Sequence, residues 1–444
     1  MQANPNQFYE GEICNATILF NMCSLSPSQG ANNFIGYQPT YWQYMDKLVY
    51  WAGSASEGII IPPPAGSIDA AHQAGVKILG QIFFPPKEFG GEVGWVKELS
   101  KKENGHYPYA KKLYEIAKYF GFDGWFINQE TSGAGVKSST WAEFIKEFNS
   151  YADENGDNQM EIMWYDAMTV IDAQILKSHK NTSQFLEYFS EGDHRSLASD
   201  INCTEAETFS KIYAGVQTVR SGLTGYNSSL NAAFPTNGHV GSLALFCPEE
   251  RSWKDNVKNL LGTTDDNGEK AYDAIAKTFA NEEQAWVNND GDPSTGGSSA
   301  WRGISGAILE RSAITSIPFV SNMCVGVGKH RFVNGVINGT QDWYHSGVQS
   351  VLPTWRWWIE NRGNLKVSID WDDAFNHGSC FKIAGTLSGE RLMRLYKTNI
   401  LITDGILKVV YKTTGTTPDL KLSTNSSINP DVTLTAKTRF SCQC

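Results

Sequence analysis

Between residues 47 and 328, short apolar runs alternate with longer segments whose apolar residues recur at helical spacing. The runs are 47–53 (KLVYWAG), 76–84 (VKILGQIFF), 122–130 (FDGWFINQE), 160–168 (MEIMWYDAM), 185–189 (FLEYF), 212–218 (IYAGVQT), 241–246 (GSLALF) and 317–325 (IPFVSNMCV). Their length and their β-branched and aromatic content predict strands. Two of the segments between them predict helices. In 107–120 the apolar stripe is Tyr109, Leu113, Ile116, Ala117 and Phe120, and 139–155 starts with Ser139 or Thr140 as N-cap. Eight β/α alternations predict an α/β fold, a (β/α)8 TIM barrel. A Gly/Ser/Asp/Pro loop at 285–300 lies inside the barrel text.

After Trp358 the helical period ends. Segments 365–370, 380–386, 391–398, 406–411 and 431–439 read as strands separated by turn residues, which predicts a C-terminal β-sandwich. The stretch is short for a sandwich of ~100 residues, so an incomplete one is expected. The expected division is an unassigned N-terminal segment (1–35), a (β/α)8 barrel that would carry any catalytic site (36–360) and a β-sandwich domain (361–444).

Composition narrows the function. Lys+Arg 37 against Asp+Glu 47 gives a net charge of −10, which argues against an electrostatic nucleic-acid or membrane-surface partner. No run of ~18 apolar residues is present to span a bilayer. Many of the 14 Trp, 18 Tyr and 22 Phe are expected in the core, but such richness also suits a protein that stacks on sugar faces. Eight scattered cysteines (14, 23, 203, 247, 324, 380, 442, 444) have neither zinc-finger spacing nor the density of a small disulfide framework, so buried free thiols are expected. Met1–Glu10 lacks the basic start and apolar core of a secretory signal, which predicts a cytosolic protein or one whose signal has been removed. The eight histidines show no ligand spacing and no Gly-rich phosphate loop follows a strand, so no metal and no cofactor is expected. His72, in the helical DAAHQAG, reads as a packed or surface helix residue.

In a (β/α)8 barrel the reactive groups stand at the C-terminal ends of the strands. Side chains alternate along GFDGWFINQET (121–131), so Gly124, Phe126, Asn128 and Glu130 share one face. A carboxylic acid there, desolvated by aromatics, is suited to general-acid work. It could equally be a solvated carboxylate capping the next helix. The following outlet, Trp164-Tyr165-Asp166, adds a wall, a hydroxyl and a second carboxyl. Two carboxylates on adjacent strands fit a retaining glycosidase with acid and nucleophile ~5–5.5 Å apart, although Asp166 also reads as a salt-bridged loop residue. Phe83-Phe84-Pro85-Pro86 and Cys247-Pro248-Glu249-Glu250 are further candidate groove walls.

Asn128-Gln129-Glu130 inside FDGWFINQET, followed by WYDAMT (164–169), resembles glycoside hydrolase family 85, the endo-β-N-acetylglucosaminidases. YWQYMDKLVYWAGSASEGIIIPPPA (41–65), AAHQAGVKILGQIFF (70–84) and VLPTWRWW (351–358) are similar to the same barrel, and the resemblance covers about residues 36–360. It implies cleavage of the GlcNAc-β1,4-GlcNAc core of N-linked glycans with retention through an oxazoline, the substrate's own acetamido oxygen serving as nucleophile, and with transglycosylation as a companion reaction. By resemblance Asn128 orients the acetamido group, Glu130 is the general acid and then base, and Tyr165 hydrogen-bonds the acetamido or oxazoline. Phe84, Trp164 and Asp166 are the expected substrate-binding residues. The implied partners are N-glycans and the glycoproteins or glycopeptides that carry them, met by a monomer in the cytosol, with no nucleic acid and no membrane.

Family 18 chitinases read D-G-x-D-x-D-x-E at this strand, and Phe126 and Asn128 stand where two of those aspartates belong. Phenylalanine cannot polarise a neighbouring acid, so that reading fails. A non-catalytic glycan-binding barrel and a two-carboxylate retaining glycosidase are the alternatives.

Overall fold

The computed structural model describes residues 2–20, 27–32, 36–188, 192–218, 226–248, 272–288, 290–297, 301–356, 358–401, 406–415, 420–423, 432–434 and 442–443. Eight parallel strands close into a barrel: β1 (Ile13–Thr17), β2 (Lys47–Tyr50), β3 (Lys77–Phe84), β4 (Gly124–Gln129), β5 (Glu161–Tyr165), β6 (Thr182–Leu186), β7 (Ile212–Gln217) and β8 (Ser242–Phe246). Closure is made by β1, where Cys14 pairs with Lys47 of β2 on one side and Ala244 of β8 on the other. A two-residue strand, Ile60–Ile61, adds antiparallel to β3.

Two expectations about the strands are corrected. The segment 317–325 forms no strand, although its apolar run reads as one. The strand that completes the barrel is instead Ile13–Thr17, inside the segment left unassigned. Asn15 and Thr17 break the apolar look of ICNAT, yet all five residues are buried. The sixth strand is Thr182–Leu186, three residues earlier than its apolar run, because Thr182, Ser183 and Gln184 pair with Ile162, Met163 and Trp164 of β5.

Every crossover from β2 onward carries at least one helix: α1 (Ala65–Gln73), α2 (Val93–Leu99), α3 (Pro108–Phe120), α4 (Ser138–Glu154), α5 (Ala173–Leu176), α6 (Thr208–Lys211) and α7 (Asn227–Ala233), with α8 (Tyr272–Trp286) following β8. Helix α3 starts on Pro108, whose missing N–H costs nothing at that position, and ends on Gly121 at φ 76°. It buries Ala110, Leu113, Tyr114 and Ala117, whereas Phe120 is exposed, so the buried stripe is rotated from the predicted one. Helix α4 begins at Ser138, which places Ser139 and Thr140 in its first turn rather than at the cap. His72 of α1 sits 2.8 Å from the Asp123 carboxylate as a helix-to-strand tie.

The pleat separates two cores. Trp125, Ile127, Ile162 and Trp164 face the helices, while Cys14, Val49, Leu79, Phe126, Met163, Tyr165, Phe185, Tyr213 and Ala244 fill the lumen. At the bottom of the lumen Glu161 accepts from Lys47 at 2.8 Å, Lys77 at 3.0 Å and Ser183 at 3.2 Å.

Beyond the barrel the chain makes short antiparallel pairs, the longest joining Lys366–Asp370 to Cys380–Ala384. Others join Lys408–Val409 to Cys442–Gln443 and Leu420–Leu422 to Val432–Leu434. The predicted strand 391–398 is absent apart from a single bridge at Met393, and most of 431–439 lies outside the described residues. Arg356 ties this half to the barrel by donating to the Thr40 hydroxyl at 2.8 Å. Cys14, Cys247 and Cys324 are buried and Cys203 and Cys380 half-buried, none in a disulfide. Cys23 and Cys444 lie outside the described residues.

Candidate active site

The geometry of the outlet begins at the first residue of β4. Gly124 has φ +127°, and a Cβ there would lie 1.9 Å from the Glu161 carbonyl oxygen, so only glycine lets β4 and β5 approach this closely. From that point Phe126, Asn128 and Glu130 fall on the lumen face, as the alternation predicts. Asn128 is fully buried, with Phe83 of β3 and Tyr165 of β5 as its register partners. Among the described residues neither its amide oxygen nor its amide nitrogen makes a hydrogen bond of normal geometry. Its amide acts instead on the neighbouring Glu130 carboxyl, whose pKa burial raises and this amide lowers.

Glu130 follows the last strand residue and keeps the ladder for one more bond, its N–H donating to the Phe84 carbonyl at 2.9 Å. The next turn is clamped. Thr131 donates its hydroxyl to Pro85 at 2.6 Å and its N–H to the Gln129 side chain at 3.1 Å. Partial burial raises the Glu130 pKa above the usual carboxylate range. The nearby Asn128 amide pulls the other way, and the charges of Glu187 and Glu88 push it up again. Tyr165, 7% exposed, has its pKa driven far up by burial and by the Glu130, Glu187, Tyr188 and Asp166 charges, so its hydroxyl is a permanent donor.

Aromatic rings surround these groups. Trp51 at the end of β2 meets Phe246 at 4.7 Å, Phe126 at 5.7 Å and Phe83 at 5.9 Å between centroids. Tyr165 packs against Phe126 and edge-on to Phe185 at 5.4 Å. A desolvated acid, a buried amide and a phenol on one aromatic-lined face can protonate a leaving oxygen while holding a neutral polar group beside it.

Phe84 and Trp164, expected to touch substrate, are corrected. Both are buried in the layer between barrel and helices, against Trp141 of α4 at 6.1 and 5.2 Å. The reason is parity: Phe83 and Tyr165 point into the lumen, so their neighbours point away. Asp166 lies beside the Trp164 indole. Burial raises its pKa, while that indole and the Met168 backbone lower it. Glu130 and Asp166 both act on the Tyr165 hydroxyl, while the charges that act on Glu130 itself are those of Glu187 and Glu88. Cys247 is buried, and Glu249 and Glu250 lie outside the described residues. Sequence reasoning missed Trp51, Phe246 and Glu187. Counting by twos from Phe185 reaches Glu187, and the same count from Val49 reaches Trp51.

The fold is a (β/α)8 barrel with Glu130, Asn128 and Tyr165 at its C-terminal mouth. A family model for Glycosyl hydrolase family 85 matches residues 22–331, and the chain belongs to that family. Among curated proteins it is similar to the cytosolic endo-beta-N-acetylglucosaminidase of Mus musculus, 25% identical over 88% of this chain and 50% of the relative. It is also similar to that of Homo sapiens, 24% identical over 85% of this chain and 47% of the relative. The chain thus spans about half the length of the curated relatives it matches. Among solved structures it is similar to the glycoside hydrolase domain of Endo-D from Streptococcus pneumoniae, with a TM-score of 0.73 and 26% identity over 88% of this chain and 61% of that one.

Proposed function

We propose that the chain is an endo-β-N-acetylglucosaminidase that cuts the GlcNAc-β1,4-GlcNAc core of N-linked glycans by substrate-assisted retention. The observation that carries this reading is Asn128: a fully buried amide in register with Tyr165, on the same strand face as Glu130 and acting on its carboxyl. Asn128 holds the acetamido N–H while the acetamido oxygen attacks C1. Glu130 gives its proton to the departing GlcNAc O4, and the C1–O4 bond breaks. Tyr165 donates to the acetamido oxygen side of the ring being formed. Water then adds to C1 as the ring C1–O bond opens and the acetamido group is restored, the water losing a proton to Glu130, and an incoming sugar hydroxyl in place of water gives transglycosylation. A positioned intramolecular nucleophile has a high effective molarity, so one protein acid suffices.

Asp166 is disfavoured as a nucleophile because its carboxyl lies beside the outward-facing Trp164. The relatives' printed names place them in the cytosol, and five described cysteines outside any disulfide fit a reducing compartment. We assign the chain there, acting on free glycans and glycopeptides as a monomer.

The test is mass spectrometry of the products from one high-mannose and one trimannosyl glycopeptide. The peptide should keep a single GlcNAc and the released glycan should carry the other at its reducing end. Release of the whole glycan, or cleavage unaffected by Glu130→Gln, would overturn the proposal.

A further inference from the structure

On the proposed function, Glu130 passes its proton to the GlcNAc that stays on the polypeptide, so that polypeptide lies outward of Glu130 by the length of one sugar. Two loops flank Glu130 there. On the β3 side, the turn 85–91 is pinned to the residue that follows the acid, because the Thr131 hydroxyl donates to the Pro85 carbonyl at 2.6 Å. Within the turn the N–H groups of Phe89 and Gly91 donate to the Pro86 carbonyl at 2.9 and 3.1 Å. A Cβ on Gly91 would lie 1.8 Å from the Pro85 carbonyl oxygen, so the turn is closed too tightly for a larger residue. On the β5 side, the register that pairs Asn128 with Tyr165 brings Ala167 level with Glu130, and the chain turns at Ala167 with φ 56°. The segment beyond is tied to β6. The Met168 carbonyl accepts from the Glu187 N–H at 2.8 Å, and the Gln184 side chain accepts from the Asp172 N–H at 2.8 Å and donates to the Val170 carbonyl at 3.4 Å.

Both loops turn apolar side chains to solvent: Phe89 is 71% exposed, Met168 52% and Val170 62%. Between β1 and β8, the other exposed large apolar side chains among the described residues are Tyr188, after β6 at the same mouth, and Tyr119 and Phe120, at the foot of the barrel where α3 leads into β4. Apolar groups held in water by pinned backbone and gathered on one face mark a contact surface. A pyranose packs on a flat aromatic face. Met168 and Val170 offer none, whereas a methionine adapts to apolar side chains of varied shape.

We infer that Phe89, Met168 and Val170 form a docking rim for an apolar stretch of the polypeptide next to the glycosylated asparagine. This rests on the proposed function and adds to it a preference set by the peptide rather than by the glycan.

The experiment compares kcat/KM on substrates that share one trimannosyl glycan: a peptide with leucine and valine around the glycosylated asparagine, a peptide with serine and glycine there, and the free glycan. The wild type should favour the apolar peptide by about tenfold over the polar one, the effect of burying one or two methylenes. In a Phe89→Ser, Met168→Ser, Val170→Ser variant that preference should vanish, with the polar peptide and the free glycan cut within about twofold of wild type. All three side chains are exposed, so the fold should stand without them, and the single substitutions repeat the comparison should the triple variant not fold. A wild type indifferent to the two peptides overturns the inference, and so does a variant that loses rate equally on every substrate. A wild type that cleaves none of them defeats the proposed function. Fluorescence anisotropy of labelled GlcNAc-peptides, which have no bond to cleave, then decides the inference: tighter binding of the apolar one, lost in the variant, upholds it, and equal binding overturns it.

Discussion

Asn128 and Tyr165 are register partners on adjacent parallel strands, both pointing into the barrel mouth, with Phe126 packed beneath them against the Tyr165 ring. Register fixes their relative height to within the pleat, so the amide and the phenol stand at one level of the mouth without any loop having to close. Glu130, one pleat above Asn128, completes a line from buried amide to half-exposed acid.

That line makes Asn128→Ala informative. Glycan hydrolysis should fall by ~100-fold or more, since holding a nucleophile in place accounts for a large part of an intramolecular reaction's advantage. A preformed sugar oxazoline has already passed the blocked step, so the variant should still transfer it to a GlcNAc-peptide, and the product should accumulate. A folded variant that transfers nothing from the oxazoline sinks the assignment.

Glu130→Gln should lose ~10²–10⁴-fold in hydrolysis, the usual contribution of a general acid–base. Stability should move the other way. The folded pKa of Glu130 is raised, so its contribution is fully present below the unfolded pKa and is lost as pH rises through the folded value. The variant should therefore gain in Tm relative to wild type at pH 8 compared with pH 4, a difference readable by thermal melts at the two values.

Tyr165→Phe removes one donor and leaves the ring packing against Phe126 and Phe185 in place. A hydrogen bond to a charged or charge-developing group is worth about 1.5–3 kcal/mol, so kcat/KM should drop by roughly 10- to 100-fold without abolition. A wild-type rate would leave Tyr165 a packing residue only.

Asp166→Asn should keep kcat/KM within about threefold of wild type, because its carboxyl is turned toward Trp164 and the Met168 backbone. Intact-protein mass spectra taken during turnover should show no glycosyl adduct on Asp166. Such an adduct would convert the mechanism to a two-carboxylate one.

At the opposite end of the barrel, Glu161 tests the scaffold. Burial opposes its charge, but Lys47 and Lys77 outweigh that and pull its pKa down from 4.5 to about 2. Removing one partner of a buried pair strands the other, so Glu161→Ala should cost ~3–5 kcal/mol in denaturant unfolding. In the wild type this contribution is present above the unfolded pKa and is lost as pH falls from 4.5 through about 2.

Local pattern was enough for much of this. Seven of the barrel's strands announce themselves as short apolar runs, and alternation along FDGWFINQE puts Asn128 and Glu130 on one face, because side-chain direction in a strand depends only on counting by two. Closure was not local. Ile13–Thr17 is a strand because β2 and β8 each supply it a partner edge, whereas the more apolar 317–325 finds none. Which parity faces the lumen was also undecided by the text: in Phe83-Phe84 and Trp164-Tyr165 either ring reads as a groove wall, and only packing against Trp141 of α4 sends Phe84 and Trp164 outward. Composition and period determine faces and elements. The meeting of distant strands, a property of the closed sheet, decides which side chains share the mouth.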